Sequence, residues 1–126
     1  MSVITVSKVL SFKKGEGIAT AGRIPEDGEF FQDHFPDFPI LPGVLAVELL
    51  KQSAECYLEG GTLGTGRKRT LKQLRDVKFS SYLKPGAEWE AELTLVSEQN
   101  QESSWRAKLL HAGRLACSAR FILTES

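Results

Sequence analysis

Residues that do chemistry unaided are scarce in this sequence: two cysteines, two histidines and one methionine among 126 residues. Cys56 and Cys117 are too few for a disulfide framework and have neither metal-ligand spacing nor a catalytic context. They are expected to be reduced thiols in the core. No apolar run approaches the roughly 18 residues that a membrane span needs. The opening MSVITVSKVLSFKK lacks the basic start, apolar centre and small-residue cleavage site of a secretory signal, so a soluble cytoplasmic protein is expected. Charge of one sign is missing too. Sixteen Lys and Arg balance sixteen Asp and Glu, which removes the positive field of a dedicated nucleic-acid binder. With 41% hydrophobic residues, the balance also argues against intrinsic disorder. No repeat, low-complexity tract or linker divides the chain, so one small domain covering residues 1–126 is expected.

Short strands are expected over Val3–Leu10 and Gly17–Ile24, with a turn at Lys13–Gly17. The segment from Pro25 to Pro42 holds four of the five prolines and five acidic residues. Proline removes backbone donors and restricts its predecessor, so this reads as an ordered loop. A helix follows, with Pro42 in its first turn and Gly60-Gly61 as its stop. Its first half is apolar nearly all round, which predicts a buried helix with Glu48 in the middle of the apolar run. Alternation in Glu88–Leu95 and Leu115–Leu123 predicts strands with one wet face, with turns at Asn100–Glu102 and Ala112-Gly113. Two strands, one long helix and about four further strands make an α+β architecture: an antiparallel sheet wrapped round the helix.

The chemistry concentrates in Phe30-Phe31-Gln32-Asp33-His34-Phe35-Pro36-Asp37-Phe38-Pro39-Ile40-Leu41-Pro42-Gly43-Val44-Leu45-Ala46-Val47-Glu48. His34, in a proline-stiffened aromatic loop, titrates near neutrality and suits a general base. Glu48, on the buried helix, suits an acid, because burial favours the protonated form. Gly43 offers the first free amide at the positive end of the helix, and its missing side chain lets a carbonyl oxygen approach. A base, an acid and an oxyanion donor suit proton abstraction beside a thioester carbonyl, with the acid protonating a hydroxyl that leaves from the β-carbon. That is a dehydration.

The pattern HFP-x-x-P-x-x-PGVL-x-x-E over His34–Glu48, with Phe30-Phe31 before it and Gln52 after, resembles the signature of the 3-hydroxyacyl-[acyl carrier protein] dehydratases of the FabZ/FabA type. The likeness runs from about Ile4 to Leu123, with softer echoes in Asp76–Phe79 and Lys84–Gly86. It implies the hot-dog fold, His34 and Glu48 as catalytic residues, and the Gly43 amide as the site that binds the thioester carbonyl. Val44, Phe31 and Phe35 are implied as substrate-binding neighbours, with some of the aromatics lining or gating an apolar tunnel for the acyl chain. Glutamate at position 48 resembles the dehydratase-only branch. The implied partners are an acyl carrier protein bearing a 3-hydroxyacyl chain, or a coenzyme A thioester, and a second copy of the chain. In the family, His and Glu of one site come from opposite subunits of a homodimer, and some members are hexamers. No metal or redox cofactor is implied. The sequence departs from the family pattern at Asp33, where glycine is common and a carboxylate favours protonated His34. It departs again at Ala87, where aspartate is usual, and in a start that lacks the family's leading segment.

Two other functions fit parts of the pattern. A thioesterase on the same fold would use Glu48 to activate water but has no need of a paired His34. A non-catalytic acyl-binding or supporting subunit would be expected to have lost one of the two, and both are retained. His111, before the Ala112-Gly113 turn, reads as a surface residue. Gly61–Lys68 lacks the Gly-Lys-Ser/Thr ending of a phosphate loop and follows a helix, so it reads as a connection. Arg67, Lys68, Arg69, Lys72, Arg75 and Lys78 against Asp76 give a local charge of +5. That segment is either a solvated strand edge or a docking patch for an acidic carrier protein or for coenzyme A phosphates.

Overall fold

The computed structural model describes residues 4–26, 41–63 and 69–125. Their elements are strands β1 (Lys8–Lys13) and β2 (Gly17–Arg23), helix α1 (Gly43–Leu58), and strands β3 (Thr70–Phe79), β4 (Glu88–Gln99), β5 (Glu102–His111) and β6 (Arg114–Thr124). The six strands form one sheet in the order β1-β2-β4-β5-β6-β3, every neighbouring pair antiparallel. The sheet curves round α1, the hot-dog arrangement expected. β1 and β3 are its edges among the described residues.

Alternation decides which face meets the helix. Trp89, Ala91 and Leu93 of β4, Trp105, Ala107 and Leu109 of β5, and Cys117, Ala119, Phe121 and Leu123 of β6 are buried. They pack with Leu49, Leu50 and Ala54 of α1 in a single cluster. Burying each such large side chain contributes about 1.5–3 kcal/mol. Hydroxyls inside this layer are paired, whereas the buried Trp89 Nε1 has no partner among the described residues. Ser53 Oγ donates to Leu49 O at 2.9 Å and lies 2.7 Å from Thr20 Oγ1. One hydroxyl carries one proton, so Thr20 is the donor of that second bond, which ties α1 to β2. Gly15 N–H donates to Tyr57 Oη at 2.7 Å, and the Tyr57 ring meets Trp105 edge-on at 5.1 Å. Both cysteines are buried and outside any disulfide, as expected.

Three expectations need correction. Strand β1 begins at Lys8, not Val3, which lies outside the described residues. The Ile4 carbonyl and Val6 amide bond to the Gln52 side chain instead of a ladder. β2 ends at Arg23 because the Ile24 N–H turns to Ala87 O at 2.8 Å. The helix is not buried all round: Val44 is 75% exposed and Glu48 is half-buried. Its apolar face is wider than this one sheet can cover.

Two hairpin turns use left-handed backbone at both central residues: Asn100 and Gln101 (φ 53° and 63°), and Ala112 and Gly113 (φ 51° and 76°). This geometry follows the twist of the flanking strands. Alanine is strained there, so Ala112→Gly should stabilise the fold by about 1 kcal/mol in denaturant unfolding. Burial pushes the Cys117 thiol up to about 11 from 9.0. Between those values the unfolded thiol ionises while the folded one does not, so stability should fall as pH rises from about 9 to about 11. A Cys117→Ala protein should lose less over that window.

Candidate active site

The exposed side of α1 meets β3 in an apolar groove. Val44, Val47, Glu48 and Lys51 stand at i, i+3, i+4 and i+7, the spacing of one helix face. With Gly43 they line a cavity of about 330 Å³ whose opposite wall is Leu71, Leu74, Val77 and Phe79 of β3. Leu74 and Phe79 are 40% and 47% exposed. Bulges in β3, between Leu71 and Gln73 and again between Arg75 and Lys78, keep these residues on the helix side.

Gly43 and Val44 open the groove at its helix N-terminal end. Leu45 and Ala46 N–H donate to Pro42 O at 3.0 and 3.3 Å. The amides of Gly43 and Val44 donate to no described group, as the first turn of a helix requires when no side chain caps it. They add to the positive end of the helix dipole beside the groove. A Cβ built on Gly43 would lie 2.7 Å from the Phe79 ring, so glycine is what lets that ring cover the first helical turn.

Glu48 is the carboxylate of the groove. Its Oε2 accepts from Gln52 Nε2 at 3.1 Å, and the same Gln52 also bonds Ile4 O and Val6 N–H. Lys51, on the same face, pairs with Glu55 at 3.4 Å.

His34, Phe31 and Phe35 lie outside the described residues, as does Asp33. The two ends of the segment that carries them are fixed to one connector, between β3 and β4. Ile24 N–H donates to Ala87 O (2.8 Å), Gly86 N–H to Ile24 O (2.9 Å) and Leu41 N–H to Leu83 O (2.7 Å). Gly43 follows two residues after the second anchor. Both described flanks of that segment are therefore held by residues 83–87, the second of them two residues before Gly43.

A family model described as ApeI-like, ApeI dehydratase, matches residues 11–120. The chain belongs to the ApeI-like dehydratase family. Among curated relatives of this dehydratase, the 3-hydroxyacyl-[acyl-carrier-protein] dehydratase FabZ of Oenococcus oeni is 32% identical, over 93% of this chain and 84% of its own. The FabZ of Lactobacillus helveticus is 27% identical, over 93% and 79%. In fold, a chain of the dehydratase heterocomplex ApeI:P from Xenorhabdus doucetiae superposes with a TM-score of 0.78 at 15% identity, covering 98% of this chain and 83% of its own. A hypothetical thioesterase with coenzyme A from Streptococcus pneumoniae gives 0.70 at 10% identity, covering 98% and 93%. The resemblance read from the His34–Glu48 pattern is borne out at the level of family and fold. No described helix of this ApeI-like chain is long and apolar enough to cross a membrane.

Within the basic segment Arg75 and Lys78 are exposed, while the other cations differ in their surroundings. Arg67 and Lys68 lie outside the described residues. Arg69 is buried: its guanidinium meets Glu59 at 2.7 Å and Glu125 at 3.2 Å, and its N–H donates to Glu55 at 2.7 Å. Burial would lower its pKa, but the two carboxylates outweigh that and raise it. Lys72 is paired with Glu102, and Asp76 lies 3.8 Å from Arg120. Sequence reasoning missed a different grouping. Arg75, Arg120 and Arg106 stand directly opposite one another on β3, β6 and β5, all exposed on the outer face of the sheet. They are far apart in sequence, and only the strand register brings them together. His111 is an exposed strand end with Nδ1 2.6 Å from Glu88 O, the surface role expected.

Gly43→Ala tests the groove apart from the fold. Phe79 is half-exposed and has room to yield, so stability should change by less than about 1 kcal/mol. The displaced ring should nonetheless narrow the groove and lower turnover of any acyl substrate at least about tenfold.

Proposed function

We propose that the protein catalyses reversible dehydration of (3R)-3-hydroxyacyl thioesters to trans-2-enoyl thioesters. The carrying observation is the groove itself: a carboxylate, Glu48, on an apolar wall that also holds Gly43 and Val44 at a helix N-terminus, their amides donating to no described group. An apolar groove suits an acyl chain. Donors at the helix end suit the carbonyl oxygen, whose charge grows as the α-proton leaves. In this reading His34 takes the α-proton and the Gly43 amide steadies the enolate oxygen. Glu48 delivers a proton, directly or through water, to the β-hydroxyl, which leaves as water. Val44, Phe31 and Phe35 flank the acyl chain. No bound metal or redox group takes part in these steps.

The thioester carrier proposed is an acyl carrier protein, as the names of the FabZ relatives state for those proteins. The Arg75–Arg120–Arg106 row gives this chain a surface that suits an acidic partner. A second copy belongs to the proposal. Val44 and the helix-side residues of edge strand β3 stay open in the single chain, and a partner against β3 would cover them. His34 of one protomer would then serve Glu48 of its partner. The fold likeness to a thioesterase favours the second reading, water attack at the carbonyl with Glu48 as base.

Mass analysis of products from a 3-hydroxyacyl carrier-protein thioester separates the two. Loss of 18 mass units, lowered at least about 100-fold by Glu48→Gln and by His34→Ala in folded protein, is the expected result. Release of free acid would assign the thioesterase instead. No turnover with carrier-protein or coenzyme A thioesters would leave neither.

A further inference from the structure

We propose that the main chain of the N-terminal segment, from Ile4 to Val6, positions the Glu48 carboxylate by fixing which way round the Gln52 amide sits. This rests on the dehydratase reading. The two ends of a glutamine amide differ, since the oxygen only accepts and the nitrogen only donates. Val6 N–H meets Gln52 Oε1 at 3.1 Å, and Ile4 O meets Gln52 Nε2 at 3.1 Å. A flipped amide would set donor against donor and acceptor against acceptor at both contacts. The backbone therefore admits one orientation, and in that orientation Nε2 also faces Glu48 Oε2 at 3.1 Å.

The helix alone does not enforce this. A Glu–Gln pair at i, i+4 contributes only about 0.2–0.5 kcal/mol, too little by itself to hold both side chains in one place against water. The segment is itself held in place. Ile4 is buried in the core cluster, and Ser7 N–H donates to Ala21 O at 2.9 Å. Glu48 thus stands between the groove on one side and a braced hydrogen-bond donor on the other. One carboxylate oxygen is occupied in a fixed direction, which sets where the other can point. A displacement of about 1 Å in such a group costs on the order of 100-fold in rate.

The test uses the full chain and a carrier-free 3-hydroxyacyl pantetheine thioester, with product formation and thermal unfolding measured together. Gln52→Leu removes the amide. Gln52→Glu keeps an acceptor for Val6 N–H but replaces the donor facing Glu48 with a carboxylate. Val6→Pro removes the N–H and leaves Gln52 in place. Each should lower kcat about tenfold or more while KM stays within about twofold. Val6→Pro should slow the Gln52→Leu protein no further, because both act through one amide. Independent, multiplying losses would overturn the proposal, as would a Val6→Pro protein with unchanged kcat.

If Val6→Pro does not fold, hydrogen exchange decides. The Val6 amide should be protected in the parent protein and exchange at least about tenfold faster in Gln52→Leu, with the strand amides unchanged. A Val6 amide unprotected in the parent overturns the clamp. A parent protein that forms no enoyl product overturns the dehydratase reading and the clamp with it; enoyl product with multiplying losses overturns the clamp alone.

Discussion

A curved six-stranded sheet has one concave face, and in this chain a single helix fills it. Leu49, Leu50 and Ala54 are wholly enclosed against β4, β5 and β6, and the order of strands, the turns and the groove all follow from that contact. Because the helix must show Leu49, Leu50, Ser53 and Ala54 to the sheet, the residues a turn away, Val44, Glu48 and Gln52, face elsewhere. The carboxylate is therefore placed by the packing of its neighbours. It stands on the side of the helix left over when the core has been satisfied.

The left-over side is not idle. β3 closes one flank with Leu71, Leu74, Val77 and Phe79, and the segment before β1 closes the other with main-chain bonds to Gln52. These two flanks come from opposite edges of the same sheet. Curvature brings them to the same helix, so an edge-to-edge distance along the sheet becomes a single site. Buried charge is handled with similar economy. Arg69 is enclosed only because Glu59 and Glu125 meet it, and its backbone is held by Glu55, so the end of α1, the entry to β3 and the end of β6 are fastened at one point.

Much of the fold was legible in period and punctuation. The alternation of Trp89, Ala91 and Leu93 gave away a half-buried strand. The Asn100-Gln101 and Ala112-Gly113 turns fell where expected, and the helix runs from just after Pro42 to just before Gly60-Gly61. Less legible were positions whose partners are remote. Residues 4–7 look like the start of a strand, because β-branched residues read the same whether their backbone meets a ladder or a glutamine side chain. Arg69 reads as one more surface cation among six, and nothing near it in sequence announces Glu125.

The candidate site divides in the same way. The sequence by itself determined the family, through the spacing from His34 to Glu48, and with it the residue types on which the proposed chemistry rests. Spacing suffices there because proline and glycine fix local backbone, and the residue types fix what can donate or accept. Tertiary structure decided the surroundings of those groups: that Glu48 is half-buried, that Phe79 covers Gly43, that Gln52 is pinned from the N-terminal side, and that three arginines from three strands stand in one row. Each of these joins residues tens of positions apart, and their contact depends on sheet register and curvature, which no local pattern encodes.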